Sequence, residues 1–293
     1  MNNPKQLEHF QSSWNITKVV TIFIFLIFMS YLFYTLGFLT YNNTSHQYDK
    51  NPHILSPIKH QIEPIPKLSL EQKTNISHIV FGIGASSKLW NHRKEYIKLW
   101  WKPNITRGNV WLDKKVKIKP SDKKLLPTLK ISSDTSKFKY KHPHGTRSGI
   151  RISRIVSETV RLRLENVRWF VMGDDDTFFV TENLVKLLQK YDHNGFYYIG
   201  ANSESHFQNI NFSYNMAYGG GGFAISYPLA VALERMQDRC IERYPKLYGS
   251  DDRIQACMAE LGVPLTIEKG FHQVSSFQPL FFGKVSILSA CLV

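Results

Sequence analysis

RWFVMGDDDTFF, residues 168–179, is the stretch from which the fold of this chain is read. Arg168 to Met172 has the composition of a buried strand, Gly173 leads straight into Asp174, Asp175 and Asp176, and a second apolar run follows at Phe178 to Val180. Three carboxylates held between two apolar runs repel one another and resist desolvation, so folding them together is costly unless a cation or hydrogen bonds compensate. Oxygen ligands suit hard Mg²⁺ or Mn²⁺, which typically bridge one or two carboxylates to substrate phosphates. In an open α/β sheet, the carboxyl end of a strand is also where ligands bind. Three adjacent aspartates can equally form a solvated turn; the strands on both sides favour the metal and diphosphate reading.

Upstream, His78 to Ile83 (HIVFGI) reads as a buried strand closed by Gly84 and Ser86. Residues 89–101 carry apolar positions at helical spacing up to Pro103, and Asn109 to Leu112 (NVWL) reads as a second strand with Asp113 at its carboxyl end. Strand, helix, strand predicts a βαβ unit. The Lys-rich stretch 114–141 is either a solvated face or a phosphate- or nucleic-acid-binding one; no aromatic platform accompanies it, which favours the first. Residues 148–164 predict one amphipathic helix in which Arg151 and Arg154 are either surface arginines or reach a phosphate.

Downstream, Thr181 is positioned to cap a helix over 182–191, and Phe196 to Gly200 reads as a strand. Tyr218 precedes four glycines, 219–222, which permit positive φ and close approach of backbone to a ligand, or form a flexible turn. Asp251 and Asp252 open an amphipathic helix; such residues either cap it or aim a carboxylate at a substrate. Cys240 and Cys257 either bridge or remain two buried thiols, and Cys291 is left over.

The chain has 293 residues with 43% hydrophobic, 13% aromatic and 20% charged residues, which excludes intrinsic disorder, and its three cysteines exclude a small disulfide scaffold. The net charge of +14 is localised: residues 76–165 hold 21 basic and 6 acidic side chains, residues 166–293 hold 10 and 13. From Val19 to Leu39 there is no Asp, Glu, Lys, Arg or His, long enough for one spanning helix. A cleaved leader is disfavoured because Phe33, Tyr34, Leu36 and Phe38 crowd the end of that run. Lys5 and Lys18 against Glu8 give a slight bias to a cytosolic amino terminus. Glycosylation tripeptides at Asn42, Asn43, Asn75, Asn104 and Asn211 fit a luminal remainder. Four prolines between 52 and 66 make residues 40–75 an extended stem.

Several ordered motifs resemble the Fringe-like glycosyltransferases, and most closely the plant Fringe-related group of β-1,3-type enzymes. They are RWFVMGDDDTFF (168–179), YYIGANSESH (197–206), MAYGGGGFAIS (216–226), RYPKLYGSDDRIQACMAELGVPLT (243–266) and GFHQ (270–273). The resemblance covers about residues 76–273. It implies an α/β GT-A fold, a Rossmann-like mixed sheet flanked by helices that binds a UDP-sugar, with a D-x-D element holding Mn²⁺, or Mg²⁺, on the diphosphate. It also implies a type II Golgi protein that transfers a hexose or N-acetylhexosamine to a glycan or glycoprotein. The expected organisation is a cytosolic tail (1–18), anchor (19–39), stem (40–75), catalytic domain (76–273) and divergent tail (274–293).

By the same resemblance Asp176 is the direct metal ligand, with His272 near the family's metal-binding histidine. Asp174 and Asp175 orient nucleotide or ribose, Asp113 contacts uridine, and Gly220 and Gly221 line the cleft; the helix pattern, not the resemblance, adds Arg154 or Arg151 toward a phosphate. Asp252 matches the general base and Asp251 is second choice. Residues 275–293 depart from the family's pattern, which reads as an altered carboxy terminus that threatens a sheet edge and the metal histidine. It also leaves Phe277, Leu280, Phe281 and Phe282 as an exposed patch, and a membrane-anchored, non-catalytic binding protein of the same fold is the alternative. A metal-dependent phosphoesterase would need a second metal cluster, for which the sequence offers no His-rich candidate.

Overall fold

The apolar alternation of two neighbouring strands organises the larger of the two compact units. In the computed structural model, which describes residues 16–44, 73–272 and 289–291, strand β1 (Ile79–Gly84) and strand β4 (Trp169–Asp174) pair in parallel, with Gly84 opposite Asp174. Successive side chains of a strand point to opposite faces. Accordingly Ile79, Phe81, Ile83, Trp169 and Val171 enter one core, while Val80, Phe170 and Met172 enter the other.

These strands are the centre of a seven-stranded mixed sheet, β3-β2-β1-β4-β7-β6-β8. Its other members are β2 (Arg107–Leu112), β3 (Thr128–Ile131), β6 (Tyr198–Gly200), β7 (Phe223–Ser226) and β8 (Leu265–Ile267). β7 alone runs antiparallel to its neighbours β4 and β6. Helix α2 (Trp90–Trp100) connects β1 to the parallel β2, so the predicted βαβ unit is present.

Trp100, Trp101 and Phe179 pack on Phe81 in the first core, with ring centroids 5.1, 6.2 and 5.3 Å away. The opposite face is covered by α5 (Ile155–Val160), α8 (Tyr227–Arg243) and α9 (Asp251–Glu260), which supply Val156, Leu229, Leu233 and Ile254. The Cys240–Cys257 disulfide joins α8 to α9. A second, two-stranded sheet pairs β5 (Thr177–Phe179) in parallel with β9 (Ser289–Cys291).

Some boundaries differ from expectation. The single helix expected over 148–164 is two, α4 (Ser148–Ser153) and α5, meeting at Arg154, which stays in the right-handed region at φ −79° and ψ −8° but turns its N–H to the Arg151 carbonyl at 3.2 Å, a tighter turn than an α-helix makes. Within the Lys-rich stretch, α3 (Pro120–Lys123) and β3 form, and buried Asp122 takes Lys94 at 2.5 Å and Lys98 at 2.8 Å. Helix α6 (Thr181–Leu188) has Val180 at its N-cap position and no side-chain cap bond, so Thr181 is its first residue and not its cap, whereas α7 (His206–Asn211) is capped by the Ser205 side chain.

A separate unit, residues 1–66, contains α1 (Ile16–Thr44). Its Lys18–Thr35 window has a mean hydropathy of 1.9, so α1 is long and apolar enough to cross a membrane. The expected cytosolic tail up to residue 15, most of the stem, and the Phe277 to Phe282 cluster lie outside the described residues.

Candidate active site

The carboxyl ends of β1, β2 and β4 open into one cleft of about 510 Å³, lined by Ser86, Asp113, Arg151 and all three of Asp174, Asp175 and Asp176. Gly84 borders the triplet closely: a Cβ there would sit 3.4 Å from Asp174 Oδ1, an ordinary contact distance. Asp113 accepts hydrogen bonds from the Ser87 backbone N–H at 2.6 Å and its hydroxyl at 3.0 Å. Burial pushes the Asp113 carboxyl up, but those two bonds and the Arg151 charge outweigh it and hold it below the ordinary range.

The triplet is electrostatically under-compensated. Burial, followed by the like charges of Asp251, Asp176 and Asp175, raises Asp174 to about 8. Burial raises Asp175 to about 6 against the opposing Arg93. Arg93 Nη1 lies 3.3 Å from Asp175 Oδ1 and forms an ion pair with Asp176. Asp175 Oδ2 is buried with no hydrogen-bond partner among the described residues. An orphaned carboxylate oxygen beside two further carboxylates fits a hard dication, which in phosphate sites uses only one or two protein carboxylates. Among the described residues no three His, Cys, Asp or Glu side chains converge as a complete metal cage.

The glycine run is tied to this cleft on one side and to the second acidic pair on the other. Thr177, fully buried, accepts the Asp174 N–H at 2.8 Å and donates to the Gly220 carbonyl at 3.1 Å. Gly219 donates its N–H to Asp251 Oδ2 at 2.9 Å, and a Cβ on Gly219 would lie 2.5 Å from Asp251 Oδ1. Gly222 has φ +79°, the left-handed region that glycine enters without strain.

Asp174 and Asp251 also line a small cavity of about 20 Å³ beneath the glycine turn. Asp251 and Asp252 then border a further cavity of about 290 Å³, walled by Phe212, Met216, Tyr218 and Tyr248. The rings of Phe212 and Tyr248 are 5.7 Å apart. Asp252 accepts the N–H groups of Tyr248 at 2.5 Å and Gly249 at 3.0 Å. Buried Arg253 holds the same loop by donating to the carbonyls of Gly249 and of Leu247, the latter at 2.6 Å. Burial raises both carboxyls of the pair; bonds from Gly219 and Ser250 oppose it at Asp251, and those from Tyr248 and Gly249 at Asp252. Neither acid caps α9, the structural role the sequence offered: no side-chain cap bond forms at its start, and instead Asp251 fixes the glycine turn and Asp252 fixes the loop before the helix.

The structure thus gathers Asp113, Asp174, Asp175 and Asp176 at one cleft, with Gly220, Gly221, Asp251 and Asp252 behind and beside it. Two expected residues stand elsewhere. Arg154 is 3% exposed and its guanidinium is taken by Asp238 at 2.9 Å and Glu158 at 3.3 Å, so it has no free donor face for a phosphate. Arg151 holds the cleft position instead, donating to the neutral oxygens of Ala85 at 2.8 Å and Trp111 at 3.0 Å. The His272 ring meets Glu204 at 3.1 Å, whereas its backbone borders Gly221, where a Cβ would lie 3.0 Å from the His272 carbonyl oxygen. Arg93 and Ser87 are site residues that the sequence alone does not single out; the available signal is that Ser87 lies in the loop after β1 and Arg93 in the first turn of the helix that follows it.

The family described as "Protein of unknown function, DUF604" matches residues 208–284, a segment that holds the glycine run and the Asp251 and Asp252 pair. No curated protein sequence matches the chain. Among solved structures it is similar to the mannosyltransferase PcManGT from Pyrobaculum calidifontis in complex with GDP-Man and Mn²⁺, at 11% identity and a TM-score of 0.33. The similarity covers 67% of this chain and 59% of that one, less than two thirds of the mannosyltransferase's length.

Proposed function

We propose that this chain is a membrane-anchored, inverting glycosyltransferase that moves a hexose or N-acetylhexosamine from a UDP-sugar to a glycan or glycoprotein acceptor. The observation that carries the reading is the order of its cavities. Asp174 lines both the acid-lined cleft and the small cavity next to it, and Asp251 lines both that small cavity and the aromatic-walled one, so the three follow one another along a row of carboxylates. A donor cleft and an acceptor cavity with carboxylates between them is the arrangement a single displacement needs.

In this reading the nucleotide lies along Ser86, Ser87, Asp113 and Arg151, with Asp174 and Asp175 orienting nucleotide and ribose. Asp175 and Asp176 would hold Mn²⁺ or Mg²⁺, which when bound offsets the charge on the diphosphate leaving group. The acceptor sugar lies against Tyr248 and Phe212. Asp252 accepts the proton of the attacking hydroxyl, whose oxygen forms the new bond to the anomeric carbon. The bond from that carbon to the diphosphate breaks with its electron pair going to UDP. One base and one displacement invert the anomeric centre, and the β-1,3 linkage follows from the sequence resemblance. With α1 as a single type II anchor, the site faces the lumen of the Golgi.

The test is UDP release by the full chain in detergent, over a panel of UDP-sugars and glycan acceptors, with and without Mn²⁺. Metal-dependent release that disappears in Asp176→Ala supports the reading. Release equal to that of the variant under every condition, from protein that unfolds cooperatively, overturns it in favour of a non-catalytic binding role.

A further inference from the structure

Arg93 stands where cation and diphosphate would meet. It projects from the first turn of α2 into the 510 Å³ cleft, and a single nitrogen, Nη1, serves both Asp175 and Asp176. The bridging leaves Asp175 Oδ2 buried and without a partner among the described residues, so the guanidinium satisfies the acids incompletely. It does not engage either carboxylate as a two-pronged fork, the geometry in which arginine binds most strongly. The Arg93 side chain is 29% exposed, against 8% for Asp175, so the arginine has room to move while the acid does not.

We infer that Arg93 couples the binding of a divalent cation to that of a nucleoside diphosphate. In the free chain its guanidinium is the counter-charge of Asp175 and Asp176; when a dication takes those carboxylates, Arg93 turns to the diphosphate. This deepens the proposed function and rests on it. The physical reason is charge balance. A dication and a guanidinium on the same two carboxylates repel each other in a partly buried site where screening is weak. A diphosphate removes the conflict, because its oxygens offer the guanidinium a planar, bidentate partner. The other cleft cations fit the same picture: Lys88 lines the cleft, and Arg151 is fixed on the carbonyls of Ala85 and Trp111 and cannot follow the ligand. Mn²⁺ and UDP should therefore each bind weakly alone and strengthen one another.

The experiment uses the full chain in detergent and calorimetric titration of Mn²⁺ alone, UDP alone, and UDP at saturating Mn²⁺, with free Mn²⁺ followed by its paramagnetic resonance signal. Wild type should show mutual strengthening within the roughly 5- to 150-fold range usual for coupled sites. In Arg93→Gln, Mn²⁺ alone should bind about tenfold tighter, UDP at saturating Mn²⁺ should bind more weakly, and the coupling should fall toward none. Arg93→Lys keeps the charge but reaches a single carboxylate, so it should tighten Mn²⁺ by a smaller factor; it carries the test where the glutamine variant does not fold. Unchanged Mn²⁺ affinity in a folded Arg93 variant, with wild type binding UDP and Mn²⁺, overturns the coupling and leaves the proposed function standing. If folded wild type and variants all bind neither Mn²⁺ nor UDP, the functional reading fails and the coupling with it.

Discussion

Asp174, the last residue of β4, and Asp251, the first residue of α9, line the same cavity of about 20 Å³, although 76 residues separate them in sequence. The Asp251 charge is the largest contribution, after burial, to holding the Asp174 carboxyl up at about 8. The titration of Asp174 therefore reports on the charge at Asp251.

Stability of the metal-free protein should therefore fall as pH rises from about 4 to about 8. Asp174 and Asp175 titrate near 8 and 6 in the folded chain, above the ordinary carboxylate range. Over that window the folded state keeps protons that the unfolded chain has released, so raising pH favours unfolding. Thermal melts at pH 5 and pH 8 without divalent cation should show the higher melting temperature at pH 5 for this part of the profile. Asp174→Asn should flatten it, and saturating Mn²⁺ should restore melting temperature at pH 8. A profile identical in Asp174→Asn and wild type would falsify this assignment.

Asp252→Asn should leave UDP binding intact while lowering turnover by about 10²- to 10⁴-fold, the usual contribution of a positioned general base. The substitution preserves shape, but Oδ2 serves the Tyr248 N–H and Oδ1 the Gly249 N–H, so the amide keeps one of the two bonds and a lower melting temperature should accompany the loss of turnover. Asp251→Asn should act differently, by weakening the bond from Gly219 and loosening the glycine turn, which appears as a lower melting temperature and weaker UDP binding together. Measuring turnover, UDP affinity and melting temperature for both variants separates the roles; full turnover in Asp252→Asn removes the base assignment.

Gly222→Ala tests whether the glycine run is a shaped element. Its φ of +79° is strained for alanine, and a Cβ would lie 2.9 Å from the Phe179 ring and 3.1 Å from the Met172 carbonyl oxygen. A loss of roughly 1–3 kcal/mol is expected in denaturant unfolding. Wild-type stability in the variant would show that the turn is slack.

How much of this was legible in the sequence depends on whether a residue's role is local. The period-two alternation of β1 and β4 and the acids placed after a strand are local signals, and each stands at the expected strand end. Partnership across the fold is not local. Arg151 and Arg154 lie three residues apart on what reads as one helix, and only the break at Arg154 and the position of Asp238 on α8 decide which faces the cleft. Likewise β3 is set by pairing with β2 and not by its own composition, since TLKI sits in a Lys-rich stretch. The choice between bridged and free thiols at Cys240 and Cys257 required the packing of α8 against α9.

That bridge should matter to the site it flanks. It closes a loop with a sequence separation of 17, for which chain-entropy arguments give about 3 kcal/mol. The loop contains the Tyr248 to Asp252 segment that borders the aromatic-walled cavity. Replacing both cysteines by serine should lower the denaturation midpoint, and reductant should affect wild type but not the double variant. Equal midpoints in the presence and absence of reductant, for wild type, contradict the bridge.

Arg151→Ala and Arg154→Ala should separate binding from stability. Arg154 is buried and its removal strands Glu158, one of whose oxygens already lacks a partner among the described residues, and deprives Asp238 of two hydrogen bonds. Breaking one side of a buried ion pair costs about 3–5 kcal/mol. The folded fraction of Arg154→Ala should nevertheless bind UDP as wild type does, because the side chain points away from the cleft toward α8. Arg151 gives its hydrogen bonds to neutral oxygens, so its positive charge remains available to a ligand at the ends of β1 and β2. Its loss should weaken UDP binding more than tenfold, the effect of removing a charge-assisted contact of about 1.5–3 kcal/mol. Denaturant unfolding and UDP titration of both variants decide the matter. If Arg154→Ala loses UDP binding while its stability is unchanged, the arginine reaches the nucleotide after all and the placement derived from its pairing with Asp238 is wrong.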